Sequence, residues 1–313
     1  MEQSAIRRFI ILAQVTLVFV YLVIIAGSVV RATGSGMGCP DWPKCFGNWI
    51  PPTDISQLPE NYKELYAGDH NAVGEFNALR TWTEYGNRLV GAILGLLIFA
   101  QFLFSFKFRR RDKKLFLLSF IEFILIGFQG WLGSKVVSSN LSPVKITVHM
   151  VVALVILSIA ILIIHRAKKL MDDHSAIVRD PAIKRFAILV LILTIIQIML
   201  GTQIREEVDV LVKNFDAEFR SHIISYLGPV FKIHRSFSWL LLVINLWLIY
   251  KILKGSMSDE LKSSAKLLGI FLMLEMLAGI ILNQLSIPAV VQPVHLFLAC
   301  VIYGLQSKMI LKA

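Results

Sequence analysis

The sequence predicts an all-α polytopic membrane protein, with eight transmembrane helices arranged as two parallel four-helix-bundle repeats about a pseudo-twofold axis along the membrane normal. Three observations lead there. Hydrophobic residues fill 56% of the 313 positions and Asp, Glu, Lys and Arg only 17%, where soluble chains run to roughly 45–50% and about 25%. The apolar excess is gathered into eight stretches, at about 9–30, 86–106, 115–134, 146–165, 186–204, 231–250, 265–285 and 289–307, each close to the roughly 17–25 residues that cross a bilayer as a helix. Landmarks of the first four stretches recur in the last four. A soluble globule, a disordered chain, a collagen and a disulfide-rich secreted scaffold are thereby excluded, and no stretch alternates at period two as a membrane β-barrel would.

Orientation follows from the placement of basic residues. The N-terminus with Arg7 and Arg8, the turns 107–114, 166–185 and 251–266, and the tail with Lys308 and Lys312 hold 20 of the 32 Lys and Arg residues against 7 acids. The connections on the other side are balanced in sign. The net charge of +11 is therefore a topology signal rather than a nucleic-acid surface, and it places both termini in the cytoplasm. Eight residues precede the first stretch, too few for a mitochondrial transit peptide, so the expected location is a bacterial cytoplasmic (inner) membrane.

The two halves are expected at 1–170, including an outer loop at 31–83, and at 171–313. Their helices carry matching markers. One helix of the first half ends Gly27-Ser-Val-Val-Arg31, and one of the second ends Gly201-Thr-Gln-Ile-Arg205. The next helices open with Asn87-Arg88 and His234-Arg235. Gly133 precedes His149 by 16 residues, and Gly279 precedes His295 by 16. Because each half has an even number of spans, the two share an orientation, which sets the axis along the membrane normal.

At 1.5 Å per residue, Asn87, His149, His234 and His295 lie within about two turns of the outer helix ends, at one level. Two helices that each present a His at equal depth can hold a macrocycle between them, with its iron ligated from both faces. Arg31, Arg88, Arg205 and Arg235 lie at the same edge, where guanidinium groups suit propionates. A hydrogen-bonded packing role is the ordinary explanation of a lone intramembrane His; recurrence of the His-Arg pair favours ligation.

The outer loop reads Ser35-Gly-Met-Gly-Cys39-Pro-Asp-Trp-Pro-Lys-Cys45, followed by Glu84-Tyr-Gly-Asn-Arg88, Val148-His149, His234-Arg235 and Val294-His295. These motifs, spread over all eight stretches, resemble the haem A synthase family. The resemblance implies oxidation of a haem O ring methyl to the formyl group of haem A, by two hydroxylations with oxygen from water, for terminal oxidase assembly. It implies haem O as substrate in the first half and a b-type haem (haem b) cofactor in the second, with His234 and His295 on the cofactor iron and His149 on the substrate. Implied partners are a haem O synthase and thiol-disulfide or electron-transfer proteins. The family pattern Glu-x-x-His-Arg reads here with Asn87 in place of the His. Asn is a poor iron ligand, so His149 would hold the substrate alone, with Asn87 supplying a polar contact.

Glu84, three residues before Asn87 on the same helix face, is the candidate catalytic carboxylate, suited to activate water or to stabilise charge on the oxidised carbon. Its place beside the helix start equally suits an N-terminal cap. For Cys39 and Cys45 a disulfide is the first reading on an oxidising side, either as a loop staple or, as the resemblance implies, in exchange with a thiol partner. Zinc would need two further ligands, and covalent haem would need Cys-x-x-Cys-His. Cys300 reads as a packing residue, and His70, His165, His174 and His222 as surface residues. Glu122 and Glu275 are costly inside lipid and so are candidates for a role, such as proton movement; Glu275 aligns with Gln129. Gly91-x-x-x-Gly95 suits close helix contact. Two other functions fit paired histidines: an electron-transfer cytochrome, whose ligands would occupy two depths, and a haem-binding or transport protein, which would break its helices at the midplane.

Overall fold

A computed structural model of the chain describes residues 2–67, 74–139, 141–171, 180–214 and 222–313. The helices in order are α1 (Glu2–Ala32), α2 (Tyr62–Leu65), α3 (Ala78–Ser105), α4 (Lys113–Ser138), α5 (Pro143–Met171), α6 (Pro181–Asn214), α7 (Ile223–Tyr226), α8 (Pro229–Lys254), α9 (Asp259–Gln284) and α10 (Val291–Lys312). No strand occurs among the described residues. All but the short α2 and α7 are long and apolar enough to cross a membrane, and the chain is a multi-pass membrane protein.

Each long helix outruns its apolar window, because hydropathy measures the hydrocarbon-facing part whereas caps fix the ends. Asn77 accepts a hydrogen bond from Arg80 N at 3.0 Å and starts α3 eight residues ahead of the apolar stretch. Asp112 accepts from Lys114 N and Leu115 N at 2.9 and 3.0 Å to open α4. Ser258 caps α9, and Pro229 takes the first turn of α8, where its missing N–H costs nothing.

The chain divides into two compact units, Met1–Ala167 and Lys168–Ala313. In the first, α1 packs on α3 and α3 on α4 by close backbone approach, and α5 meets α4 where His149 lies against Gly133. Side chains tie α5 in: Arg166 grips the Asp112 carboxylate with Nε at 3.0 Å and NH2 at 2.8 Å. Phe9 of α1 meets Phe104 and Phe108 edge-on at 5.8 and 5.4 Å. Deep between α3 and α4, Gln101 Nε2 donates to Glu122 Oε2 at 2.6 Å. Both side chains are buried, so Glu122 meets the cost of an acid in lipid with a hydrogen bond.

In the second unit α6, α8, α9 and α10 close into a ring by backbone approach. Its core, including Val190, Leu248, Ile252, Leu261, Leu268 and Met309, sits near the start of α6 and the end of α10. That core stops short of the other end: no residue of α8 is buried before Leu241. In the first unit, likewise, no residue of α5 is buried before Leu154, and none of α3 between Glu84 and Leu94. Leu96, Val243, Ile270 and Met273 are exposed on helix flanks, which suits acyl chains rather than water.

Candidate functional site

At the end of each unit that its core leaves unfilled, a glycine of one helix faces a marked polar residue of the next. A Cβ placed on Gly133 of α4 would meet His149 Cε1 of α5 at 3.5 Å. One on Gly201 of α6 would meet His234 Cε1 of α8 at 3.3 Å, and one on Gly279 of α9 would meet His295 Cε1 of α10 at 3.5 Å. Gly27 of α1 faces Asn87 Oδ1 of α3 at 3.8 Å in the same way. The missing side chain lets each of these side chains pack close against the neighbouring helix, as small residues allow at membrane helix contacts.

A further regularity is one the sequence carried but composition alone could not flag. One turn before the glycine stand Gln129, Gln197 and Glu275. Gln129 Nε2 donates to His149 O at 2.9 Å and Gln197 Nε2 to His234 O at 3.0 Å, which ties the helices together at the histidine level. The spacing Gln-x-x-x-Gly, read beside the His it faces, was the available signal.

In the second unit the His234 and His295 ring centroids are 6.4 Å apart with planes at 72°. Two metal–imidazole bonds of roughly 2 Å, plus half a ring at each side, separate trans imidazoles by about 6–6.5 Å. The pair thus fits a single metal between them, and the buried Nδ1 atoms of His149 and His234 have no hydrogen-bond partner. In the first unit the buried Oδ1 of Asn87 is also unpaired. His222 is exposed, and His165 is partly buried. His70 and His174 lie outside the described residues.

The loop after α1 closes as a Cys39–Cys45 disulfide, and Cys300 is a buried free thiol. Asp41 organises the loop by accepting from Phe46 N at 2.6 Å and Gly47 N at 2.9 Å. Phe46 packs edge-on against Tyr62 of α2, Tyr66 and Phe76. Alkylation of the denatured protein followed by intact-mass measurement should find one free thiol before reduction and three after it; three without reduction would refute the pairing.

This loop lies on the first turns of α3. Thr81 Oγ1 donates to Gly38 O at 2.9 Å, and Cys39 N donates to Glu84 Oε2 at 3.0 Å. A Cβ at Gly38 would stand 2.6 Å from Arg80 O, so only glycine permits this approach. Arg88 NH1 donates to Asp41 O and Lys44 O at 2.7 and 2.8 Å, and NH2 to Cys39 O at 3.2 Å and Glu84 Oε1 at 2.5 Å. Glu84 is 3% exposed.

These contacts differ from the expectations in two respects. Glu84 is not at a helix mouth, since Asn77 starts the helix and Glu84 lies nearly two turns inside it. Arg88, expected beside a propionate, commits both terminal nitrogens to Glu84 and the loop, because loop carbonyls converge on it from one side. Of the other arginines, Arg205 pairs with Asp209 at 2.8 Å, Arg235 lies 5.6 Å from the Phe231 ring centroid, and Arg31 ends α1. Thr81, Asp41 and Gln197 are site residues that the sequence reading did not single out.

Fold and site together define a helical multi-pass membrane protein in which histidines pack against glycines of neighbouring helices in each unit, and whose first unit carries a disulfide-closed loop. Within that class the assignment is specific. The sequence profile of the COX15-CtaA family, described as cytochrome oxidase assembly protein, matches residues 10–307, and the chain belongs to that family. It is 32% identical over 193 residues to a protein named heme A synthase from Shewanella oneidensis, covering 61% of this chain and 54% of that one. It is 22% identical over 314 residues to one of the same name from Flavobacterium johnsoniae, covering 90% and 91%. With the heme A synthase of Alkalihalophilus pseudofirmus the identity is 28% over 158 residues, 50% of this chain and 46% of that one. The matched segments of the Shewanella and Alkalihalophilus proteins are thus about half their length.

Proposed function

We propose that this protein is an oxidoreductase that makes haem A, oxidising a ring methyl of haem O to a formyl group with oxygen from water. The observation that carries this is the joining of two features in one chain. One is a His pair whose ring centroids stand 6.4 Å apart, a spacing that suits two imidazoles on one metal; the other is a buried carboxylate clamped under a disulfide loop. A cytochrome needs the first and has no use for the second.

In this reading the halves 1–170 and 171–313 are two repeats of one four-helix unit, a reading supported by the matching Gly–His pairs. His234 and His295 would hold a b-type haem, which would supply one-electron transfer. His149 holds haem O, with Asn87 opposite it as a polar contact. Asn87, a poor iron ligand, would leave His149 as the substrate's one strong ligand. Arg31, Arg205 and Arg235 are the candidate propionate partners.

Glu84 is fixed by Arg88 and by Cys39 N–H, so its carboxylate keeps one position without reorganising. It holds the attacking water and accepts its proton as the C–O bond forms at the methyl carbon, or meets the positive charge developing there. Each hydroxylation removes two electrons from the substrate carbon, delivered to an external acceptor; loss of water from the gem-diol after the second gives the formyl group. The basic-residue asymmetry supports an inner-membrane location with cytoplasmic termini and the Cys loop outside. A haem O synthase as supplier and a thiol-disulfide partner for Cys39 and Cys45 fit that placement. Extraction and chromatography of haems from a host that makes haem O should show haem A only when this protein is present; haem O unchanged in both would overturn the proposal.

A further inference from the structure

Among the three helix pairs with a histidine, the residue one turn before the facing glycine is an amide in two and an acid in one. The amides share one geometry. Gln129 and Gln197 donate through Nε2 to the backbone carbonyls of His149 and His234, and their Oε1 atoms are buried without a partner. Glu275 has no amide to give, and it turns to the ring instead: Oε1 lies 3.2 Å from His295 Nδ1. Both side chains are largely buried, at 17% and 25% exposure. The contact is within reach of a hydrogen bond but not aligned as one, since Nδ1 lacks a well-directed partner.

We propose that Glu275 is the positioning residue of His295. Resting on the assignment of His234 and His295 to the cofactor iron, this gives the two ligands of one haem unequal support. The Nδ1–H of His295 donates to the Glu275 carboxylate, which fixes the tautomer that leaves Nε2 for the metal. An anionic acceptor makes that imidazole a stronger donor and favours the ferric state. His234 has a neutral amide at the corresponding position, directed to its backbone rather than its ring. The acid in the membrane-spanning segment thus acts as ligand support for one of two histidines, with its cost offset by the pairing.

The test is spectroelectrochemical titration of protein purified from a host that makes haem b but not haem O, so that one haem is read. Glu275→Gln retains an acceptor oxygen and removes the charge. It should keep the low-spin spectrum and move the midpoint potential upward, while Glu275→Asp should return it toward the unmodified value. An unchanged potential in Glu275→Gln overturns the proposal. If Glu275→Gln fails to hold haem, haem binding in Glu275→Asp supports the proposal and its loss in both variants overturns it. The ligand assignment is tested separately: His295→Ala with an intact low-spin spectrum refutes the assignment itself, whereas an unchanged potential in Glu275→Gln beside a lost spectrum in His295→Ala refutes the role of Glu275 alone.

Discussion

Replacing His234 or His295 with Ala is expected to abolish the low-spin b-type haem spectrum of the purified protein. The two rings stand 6.4 Å apart between α8 and α10, and they are the only pair of histidines brought to that spacing among the described residues. Gly201 and Gly279 hold the rings in place from α6 and α9. On the proposed ligand assignment, loss of either imidazole would remove one of the iron's two protein ligands, so the haem should become high-spin or be lost during purification. Optical and electron paramagnetic resonance spectra read the change directly. Gly201→Leu is expected to weaken binding by a different route, because even a Cβ there already lies 3.3 Å from His234 Cε1. An unaltered low-spin signal in both Ala variants would remove the cofactor assignment and with it the division of labour between the halves.

The second large effect is expected at Glu84. Glu84→Gln keeps an oxygen for Cys39 N–H and preserves the side-chain volume, but it removes the charge that meets Arg88. Conversion of haem O to haem A should fall by roughly 10²-fold or more, the scale of losing one pre-organised electrostatic group at a reacting centre. The spectrum of the haem in the second half should not change, since Glu84 belongs to the other unit. Arg88→Ala tests the same cluster more severely: it strands a buried carboxylate and releases three loop carbonyls, an effect of about 3–5 kcal/mol for breaking a buried pair. Haem chromatography read alongside the spectrum separates the two outcomes, and full activity in Glu84→Gln would defeat the catalytic assignment.

Much of this was legible in the chain. Hydropathy located the eight spans because the solvent of a membrane helix is decided residue by residue, within one window. The histidines were legible as well, because an imidazole in an apolar span is rare and because Gly133–His149 and Gly279–His295 keep one spacing. The ends of the helices were less so. Asn77 and Asp112 set them with single hydrogen bonds, and an apolar window does not register a cap. The Glu84 position moved accordingly, from an expected helix mouth to an interior turn.

The sequence by itself determined the fold class, the spans and the identity of the candidate ligands, since all three depend on side-chain chemistry at fixed local spacing. Tertiary structure alone decided what those residues touch. Arg88 binds carbonyls 44 to 49 residues away, and backbone carbonyls are the same at every position, so no residue type announces such a partner. The same holds for the amides of Gln129 and Gln197 on histidine backbones. Glu275 faces an imidazole rather than a carbonyl because the carboxylate lacks a donor, and that choice exists only once α9 and α10 are packed together.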